Sequence, residues 1–524
     1  MDGRQAPESW RPWVRGLIFD GVLLAVWAAS ASLVVLHEQG GFRGGSINPL
    51  TSLGATLEAK EQWFGLYYQG QKIGFTQTSI VPEELDGVPG VVLSDRGRLS
   101  FTLLGVPQQL ELYTRASLDA DWRLQRFAAE LKTDAYRLRW SGKREGGSLL
   151  MSLETEHGQS RTRLRDPGRG MLVVGLSPWT AFHRLKVGQW GSVWILNPLA
   201  LKPEEVFFHV RSQGRFGGRD VLLIDTDFRG MTTTSWVTPS GEVMKEESPL
   251  GWQLVAESRE HAMDMPKEAP SGFDLLSTLA VPIDRPLPAP NRIERMVWLV
   301  AGSACEDLLP RSGQTVLPPE QLSQYHVESP PGSWCLVELR KSTPPAPEVF
   351  IPPPAKRYTR PSLFIQADHP AIQQQARAIA GRLRDPWRRV MALNEWVHRL
   401  LAKRLTVGLP SALDVLASMS GDCHEHTILF TALARSLGLS TRMVAGLVYY
   451  DGRLFYHAWP EVWLGGAWIP TDPTLGQPLA DATHLGLVEA EDEQLIALGR
   501  FIGQLRVSVL ALEEAGTPAA AHGP

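Results

Sequence analysis

Three side chains near the C-terminal end of the chain could together carry out nucleophilic chemistry. They are Cys423, His457 and Asp472, in that order. A thiolate attacks carbonyl carbons, an imidazole exchanges the proton of a thiol, and a carboxylate orients an imidazole through one ring nitrogen. These residue types predict acyl transfer, in which the cysteine is acylated by a carboxamide or peptide carbonyl and released by water or by an amine.

The residues after Cys423 predict a helix with the cysteine in its first turn. Asp422 is a suitable N-cap and Gly438 a suitable helix stop. Between them, apolar residues recur at the spacing of one buried face: Leu429, Ala432, Leu433 and Leu437. At a helix start the dipole favours the thiolate, and backbone N–H groups can donate to an oxyanion. The alternative is a small buried cysteine, a common fate of a lone cysteine.

Two predicted hairpins after this helix bring the other two side chains together. Asp451-Gly452 and Gly465-Gly466 are two-residue turn signals between strand-like runs. A tight turn at Gly465-Gly466 sets a register that places Asp472 opposite Trp459. His457 is two residues from Trp459, on the same face and diagonal to Asp472, which is within side-chain reach.

His424 and His426 flank the nucleophile and raise a metal site as an alternative. Positions two apart on a helix point to different sides, so these imidazoles make a poor chelate with Cys423. The chain also lacks a His-Glu-x-x-His motif. We therefore expect neither a metal nor another cofactor, and we interpret His426 as a packed or capping residue and Glu425 as a local polar partner.

Three blocks around these residues resemble the transglutaminase-like superfamily. They are Gly421-Asp422-Cys423 with residues 434–442 behind it, residues 457–463, and residues 468–474. The resemblance covers roughly residues 368–512 and is specific, because the blocks agree in order and spacing. It implies a papain-like α+β domain, with Cys423 as nucleophile, His457 as general base and then acid, and Asp472 as its orienting partner.

The chain departs from that family at one position and leaves another unmatched. Pro460 stands where many members carry a β-branched residue. A proline there removes a ladder donor, which predicts an edge or a bulge but should leave the three catalytic candidates in place. The family's second oxyanion donor is a side chain upstream of the nucleophile, and no residue of this chain is matched to it.

Composition indicates a folded protein of several domains. Of the residues, 43% are hydrophobic and 21% are charged, which is ordinary for a folded protein. A chain of 524 residues is too long for one compact core. A net charge of −4 provides no basic surface for nucleic acid, so we expect no such partner. Three cysteines are too few for a disulfide scaffold and match no zinc motif. Cys305 and Cys335 either pair with each other in an oxidising compartment or remain partly buried thiols.

An apolar run at residues 16–36 is long enough to cross a bilayer as a helix. Three arginines precede it and a single arginine follows before Lys60, so residues 1–15 are expected in the cytoplasm and the bulk of the chain outside. This predicts a single-pass protein of the inner membrane with a periplasmic body. A signal peptide cleaved at Ala29-Ser30-Ala31 and a buried soluble helix are the alternatives.

The region between this run and the nucleophile is predicted to be mostly β. After a linker at 37–60, short strands with turn signals predict one antiparallel sheet at 61–265, curved or half-closed. It weakly resembles the half-barrels of periplasmic and outer-membrane lipoproteins, and it fits a plain structural sheet or a ligand cradle equally well. Proline-rich linkers at 266–291 and 344–367 flank a small β module at 292–343.

From residue 368 the periodicity becomes helical, and the domain at 368–512 is predicted to contain several further elements. They are helices around 372–383, 390–401 and 411–419, a terminal helix at 491–502 and a closing strand at 505–512, followed by a disordered tail at 513–524.

These predictions combine into one α+β protein, with a papain-like transglutaminase core at the C-terminus. A large antiparallel β domain, a small β module and one N-terminal transmembrane helix precede it. The predicted function is that of a membrane-anchored extracytoplasmic cysteine enzyme acting on a protein or peptide substrate, a cell-wall peptide being one candidate. The alternatives are a non-catalytic envelope binding or scaffold protein with a vestigial site, and a small-molecule acyltransferase with the same residue order.

Overall fold

A computed structural model describes most of the chain from residue 59 to residue 515. Its gaps lie at residues 86, 104–105, 120–122, 134–136, 156–157, 166–170, 174–184, 198–201, 229–230, 249–250, 267–279, 288, 303–307, 310, 344–354, 405–409 and 491–500. The predicted membrane helix at 16–36 lies outside the described residues. Among the residues that are described, no helix combines the length and the apolar character needed to span a bilayer. The chain divides into two compact units between residues 275 and 276.

The described part of the first unit is built on one sheet of 15 strands. The strands are β1 (Lys60–Tyr68), β2 (Gln71–Leu85), β3 (Val88–Leu103), β4 (Val106–Asp119), β5 (Leu124–Thr133), β6 (Arg137–Glu145), β7 (Ser148–Glu154), β8 (Gln159–Arg165), β9 (Met171–Val173), β10 (Trp190–Asn197), β11 (Lys202–Phe216), β12 (Arg219–Phe228), β13 (Met231–Val237), β14 (Val243–Glu247) and β15 (Trp252–Glu257). Across the sheet the order runs from β8 down to β1, and then from β15 down to β9. A short helix, α1 (Arg259–Met263), follows β15 and packs against β1.

Alternation along the strands explains why this sheet has one buried face. In β4, Leu110, Ala116 and Leu118 are buried, whereas Tyr113 and Arg115 between them are exposed. Side chains two apart on a strand share a face, so the apolar set lines the core and the polar set meets solvent. The pairings are antiparallel except for that of β9 with β10, and β9 approaches β4 and β5, so the sheet curls. The prediction of a large antiparallel sheet is confirmed.

Among its described residues, the second unit contains four further helices and two main sheets. The helices are α2 (Pro370–Ala380), α3 (Pro386–Leu400), α4 (Ala412–Ser418) and α5 (Cys423–Ser436), and 3-10 turns lie at Pro290–Arg292, Pro319–Tyr325 and Lys356–Thr359. The strands are β16 (Val281–Pro282), β17 (Ile293–Ala301), β18 (Gln314–Leu317), β19 (Trp334–Arg340), β20 (Ala402–Lys403), β21 (Ser420–Gly421), β22 (Thr441–Tyr450), β23 (Arg453–Leu464), β24 (Ala467–Pro470), β25 (Leu485–Glu489) and β26 (Arg506–Glu514).

Helix α5 lies at the centre of this unit. It packs against β22 and β23 of a five-stranded sheet, ordered β16-β23-β22-β25 with β24 also on β23, and against α2, α3 and α4. Every residue from Cys423 to Arg435 is therefore buried. The prediction of a single buried face at residues 429–437 was too narrow, because helices enclose the side of α5 that the sheet leaves open.

The ends of α5 form as the sequence predicts. The Asp422 carboxylate accepts a hydrogen bond from the backbone N–H of His424 at 3.0 Å, and the Glu425 carboxylate accepts one from the N–H of Asp422 at 2.8 Å. This reciprocal pair is a capping box, which satisfies N–H groups that a helix start leaves without partners. Gly438, with φ of 80°, ends the helix in the left-handed conformation that glycine adopts at little cost.

A smaller four-stranded sheet, ordered β18-β19-β17-β26, corrects the prediction for the end of the chain. The closing strand expected at 505–512 forms, but it pairs with β17 of the predicted small module rather than within the five-stranded sheet. Val297, Trp298 and Val300 of β17 are fully buried, and the strand pairs with β19 on one edge and with β26 on the other. Residues 513 and 514 belong to β26 rather than to a tail.

Three expectations concern residues that the structure describes only in part. The terminal helix predicted at 491–502 lies mostly outside the described residues, and residues 501–504 form a turn. The tail beyond residue 515 is also outside them. Cys335 is buried in β19, whereas Cys305 is not described, so their pairing stays a prediction.

Candidate active site

The hairpin of β23 and β24 has the predicted register. Leu464 pairs with Ala467 across the glycine turn, and the ladder continues until the N–H of Thr471 donates to the carbonyl of Pro460 at 3.0 Å. The pairing of β22 with β23 passes Pro460 without a register shift, so of the predicted edge or bulge the bulge is absent there. The missing N–H of Pro460 lies on the side of Thr471, where the β24 ladder ends.

Asp472 lies one residue beyond the point where the ladder stops. Its backbone exchanges two hydrogen bonds with Gln477, at 2.7 and 2.8 Å, instead of pairing with Trp459. Pro473 follows and cannot donate to a ladder, which is why the strand ends here. The expected ladder position of Asp472 is therefore corrected, although its predicted proximity to His457 holds.

His457 and Asp472 form a buried hydrogen-bonded pair. Nε2 of His457 donates to Oδ2 of Asp472 at 2.7 Å, and both side chains are 0% exposed. With the proton on Nε2, the neutral imidazole presents Nδ1 as an acceptor. Within the part of the chain that the structure describes, this Nδ1 is buried and makes no hydrogen bond. The carboxylate of Asp472 thus fixes the tautomer of His457 that can accept a proton from a thiol.

Asp472 is held as an anion despite its burial. Burial opposes the charged form, but the electrostatic interaction with His457 and hydrogen bonds from His457 and His484 lower the pKa of Asp472 far below its ordinary value. Its other oxygen, Oδ1, accepts backbone hydrogen bonds from Thr474 at 2.8 Å and Leu475 at 2.9 Å.

Cys423 is the first residue of α5, and its side of the helix faces β23. Thr427, one turn further on, donates its hydroxyl to the carbonyl of Ala458 at 3.1 Å. Residues four apart lie on the same side of a helix, and Ala458 is the neighbour of His457. Cys423 and Thr427 therefore lie on the side of α5 that faces β23, the strand that carries His457. Cys423 is 1% exposed.

Lys403 brings a positive charge to the same region. Its strand β20 pairs with β21, where Lys403 is opposite Gly421, two residues before the nucleophile. Burial lowers the pKa of Lys403 to about 8, with the charge of Asp472 acting in the opposite direction. The ammonium lies 3.4 Å from Nδ1 of His398.

His426 is packed against the start of α5, which is one of the two roles considered from the sequence. Its Nδ1 donates to the carbonyl of Asp422 at 2.5 Å, and its side chain is fully buried. Burial, the largest cause, lowers the pKa of His426 to about 3, so the ring is neutral. His424, also buried, has its backbone N–H in the capping box.

The structure adds two residues that sequence reasoning missed. Nε2 of His484 lies 3.1 Å from Oδ2 of Asp472, the same oxygen that His457 contacts, and Nδ1 of His484 lies 3.1 Å from Oδ1 of Asp481. The sequence Asp481-Ala-Thr-His484 signals a local turn, since the Asp481 carboxylate accepts the N–H of Thr483 at 2.9 Å. No sequence pattern links this turn to Asp472.

Ligand atoms of His457, Asp472 and His484 lie within 4.8 Å of one another, a spacing that a metal ion could also use. Both ring nitrogens of His484 already contact carboxylates, so both act as donors, and a metal would have to displace a proton from one of them. The residues present fit a hydrogen-bonded cluster better than a metal site.

A cysteine at the start of a buried helix, packed on a sheet that carries a buried His–Asp pair, is the arrangement of a cysteine-enzyme-like fold. Residues 373–473 match the family model described as the transglutaminase-like superfamily. This confirms the resemblance: the C-terminal part of the chain is a transglutaminase-like domain. A comparison with curated proteins gives no match.

Solved structures give distant similarities. A candidate cysteine protease from Cytophaga hutchinsonii is 16% identical, with a TM-score of 0.29, and the match covers 43% of this chain and 89% of that chain. A β-barrel-like protein of domain of unknown function DUF1849 from Brucella abortus is 12% identical, with a TM-score of 0.26, covering 38% and 94%. A candidate protease from Parabacteroides distasonis is 12% identical, with a TM-score of 0.19, covering 82% and 68%. Similarity this distant supports no inference about function.

Proposed function

We propose that this chain is a cysteine acyl-transfer enzyme that cleaves carboxamide or peptide bonds outside the cytoplasm, anchored by residues 16–36. The observation that carries the catalytic part is the buried contact of His457 with Asp472. It leaves Nδ1 of His457 as a proton acceptor on the strand that packs beside the Cys423 helix. The anchor and its orientation rest on the sequence alone.

In the first half of the reaction, Nδ1 of His457 takes the thiol proton of Cys423. The thiolate attacks the substrate carbonyl, and the N–H groups at the start of α5 can donate to the oxyanion. The tetrahedral intermediate collapses when the imidazolium gives its proton to the leaving amine. A thioester on Cys423 and a neutral His457 remain.

In the second half, water or a second amine attacks the thioester, with His457 again accepting the proton. Water gives an acid, whereas an amine gives a new amide, and both outcomes restore the thiol. The same residues serve both, so the access of water to the thioester decides between a hydrolase and a transferase. A protein or peptide amide of the cell envelope, such as a cell-wall peptide, is the substrate class that the proposed location favours.

The chain contains a matched control for a reactivity test. Cys423 and Cys335 are both 1% exposed, so exposure does not distinguish their thiols. In a Cys305→Ser background, iodoacetamide near neutral pH should alkylate Cys423 at least roughly tenfold faster than Cys335, because a partner base and a helix start favour the thiolate. Peptide mass spectrometry gives both rates from one sample.

The variant His457→Gln should abolish this advantage without changing the rate at Cys335. Equal and slow alkylation of the two cysteines in folded wild-type protein would overturn the enzyme and favour the vestigial scaffold. If Cys423 proves reactive, intact mass spectrometry after incubation with envelope extract, with and without an added primary amine, identifies the acyl group and the acceptor.

A further inference from the structure

His484 is a second imidazole in the site, and carboxylates hold it from both sides. Its side chain is 0% exposed, and the centroid of its ring lies 6.0 Å from the centroid of the His457 ring. Its two nitrogens contact Asp472 and Asp481, each at 3.1 Å. A carboxylate only accepts hydrogen bonds, so an imidazole that serves two carboxylates must donate from both nitrogens. Such a ring carries a positive charge.

We propose that His484 is a positioning residue whose fixed charge, set by Asp481, neutralises part of the Asp472 charge and thereby tunes the basicity of His457. This inference rests on the proposed function, because it assigns a role at the same site. It extends the Cys-His-Asp arrangement by an imidazole and a carboxylate to Cys423–His457–Asp472–His484–Asp481. His484 acts through Asp472 and need not touch the substrate.

The loop from Asp472 to His484 is built to keep Asp481 charged and in place. The amide of Gln477 donates to Oδ2 of Asp481 at 2.9 Å, and the hydroxyl of Thr483 donates to Oδ1 at 2.6 Å. Burial disfavours the charge of Asp481, but the hydrogen bond from His484 is the largest of the effects that lower its pKa. For His484, burial likewise opposes charge, yet hydrogen bonds to Asp472 and Asp481 raise the pKa to about 9.

Among the described residues, several other charged or titratable groups lie in or beside this cluster. His457 is beside His484. The Trp459 ring contacts the His484 ring edge-on, with the two ring centroids 5.1 Å apart, and the Arg311 guanidinium lies over the face of that indole. Burial lowers the pKa values of His398 and Lys403, and the charge of Asp472 acts on both in the opposite direction. Glu461 offsets Arg311 through an ion pair of 3.2 Å. His484 is thus the cation in direct contact with Asp472 among the described residues.

The sign of the expected effect follows from charge alone. Asp472 as an anion favours the imidazolium of His457, and the positive charge of His484 weakens that preference. Removal of the His484 charge should therefore strengthen that preference and also disfavour the thiolate of Cys423. Both limbs of the pH profile of Cys423 reactivity should move to higher pH.

The test uses the full chain and the variants His484→Gln and Asp481→Asn. Glutamine keeps an amide donor for Asp472 without a charge, and Asp481→Asn removes the group that holds the proton on His484. The pH midpoints of Cys423 alkylation should rise by about one to two units in His484→Gln. The midpoints should rise by less in Asp481→Asn than in His484→Gln. In the double variant that combines both substitutions, they should rise no further than in His484→Gln alone. His326→Asn is the control, because His326 is exposed at the end of the 3-10 turn Pro319–Tyr325 and its loss should leave the midpoints unchanged.

A second measurement keeps this inference separate from the enzyme proposal. Proton–nitrogen NMR spectra of the imidazoles near pH 7.5 should show His484 protonated on both nitrogens in the wild type, whether or not Cys423 is reactive. A neutral His484 overturns the inference even if Cys423 proves catalytic. Midpoints in His484→Gln that coincide with those of the wild type, with only the rate reduced, also overturn it, since that is the result of a structural role. A doubly protonated His484 beside an unreactive Cys423 would uphold the charge on His484 and overturn the proposed function alone.

Discussion

Asp472 is the residue on which the contacts of the site converge. One of its oxygens accepts from His457 and His484, and the other accepts from the N–H groups of Thr474 and Leu475. A carboxylate with this many donors stays ionised and keeps one orientation. The orientation of the His457 ring therefore depends on the loop after β24 as much as on β23.

The charge on His484 also predicts how stability depends on pH. The pKa of His484 is about 9 in the folded protein, against an ordinary value of 6.5. A group whose pKa is raised by folding stabilises fully below its unfolded pKa, and this contribution is lost as the pH rises through the folded pKa. Between pH 6.5 and 9, the free energy of unfolding should fall by up to about 3 kcal/mol through this residue. Urea denaturation across this range measures the fall, which should be smaller in His484→Asn. An identical slope in the two proteins would contradict the prediction.

The sequence suffices to nominate Cys423, His457 and Asp472 because each is tied to a local signal. A helix cap precedes the cysteine, and a two-residue turn sets the register of the other two. His484 has no such signal. Its contact with Asp472 spans 12 residues of loop and depends on the way that loop folds back, which neither periodicity nor turn chemistry specifies.

At the scale of elements, the junction of β22 with β25 depends on two glycines. Gly446 pairs with Gly486, and a methyl group at Gly446 would lie 2.0 Å from the carbonyl oxygen of Leu485 and 2.8 Å from the indole of Trp459. Real contacts are never this short, so a side chain here must push the strands apart. Gly446 is also opposite His457 in the β22–β23 pairing.

Gly446→Ala should therefore lower both stability and Cys423 reactivity. Overpacking of this kind costs about 1–3 kcal/mol, and the displaced Trp459 would shift the imidazoles that it contacts. Gly97→Ala in β3 is the control, since its added methyl would have neighbours no closer than 3.6 Å. Urea denaturation and the alkylation rate of Cys423 measure the two effects. A Gly446→Ala protein as stable as the Gly97→Ala protein would show that β25 can move without cost.

Elements were predictable where the pattern is local, and less so where it depends on distant partners. The hairpin turns at Gly452 and Gly466 and both caps of α5 follow from single residues or pairs. The pairing partner of β26 does not follow from single residues, because an apolar strand of this kind fits the edge of either sheet in the second unit. The enclosure of α5 on every side was hidden for a related reason, since buried Thr427 and Thr431 do not look apolar in sequence.

At the scale of the second compact unit, β26 connects its two sheets. It pairs with β17 in the small sheet, and Val507 forms a bridge with Ile283, next to β16. The N–H of Val509 also donates to Asp284 at 2.9 Å. Strand β16 in turn pairs with β23 at Leu454, three residues before His457. The end of the chain thus supports the strand that carries the proposed base.

A chain that stops after Leu505 should consequently lose both stability and reactivity at Cys423. Val507 and Val509 are buried, and the loss of two such side chains costs at least about 3 kcal/mol, before the unpaired edge of β17 is considered. A chain that stops after Ala515 keeps β26 whole and is the matched control. Hydrogen exchange, used to monitor unfolding, should show that the backbone amides of β17 and β23 lose protection in the shorter chain. The amides of the 15-stranded sheet should keep theirs. If β23 stays as protected as in the control and Cys423 keeps its alkylation rate, the support passes through other contacts, and β26 belongs to the small sheet alone.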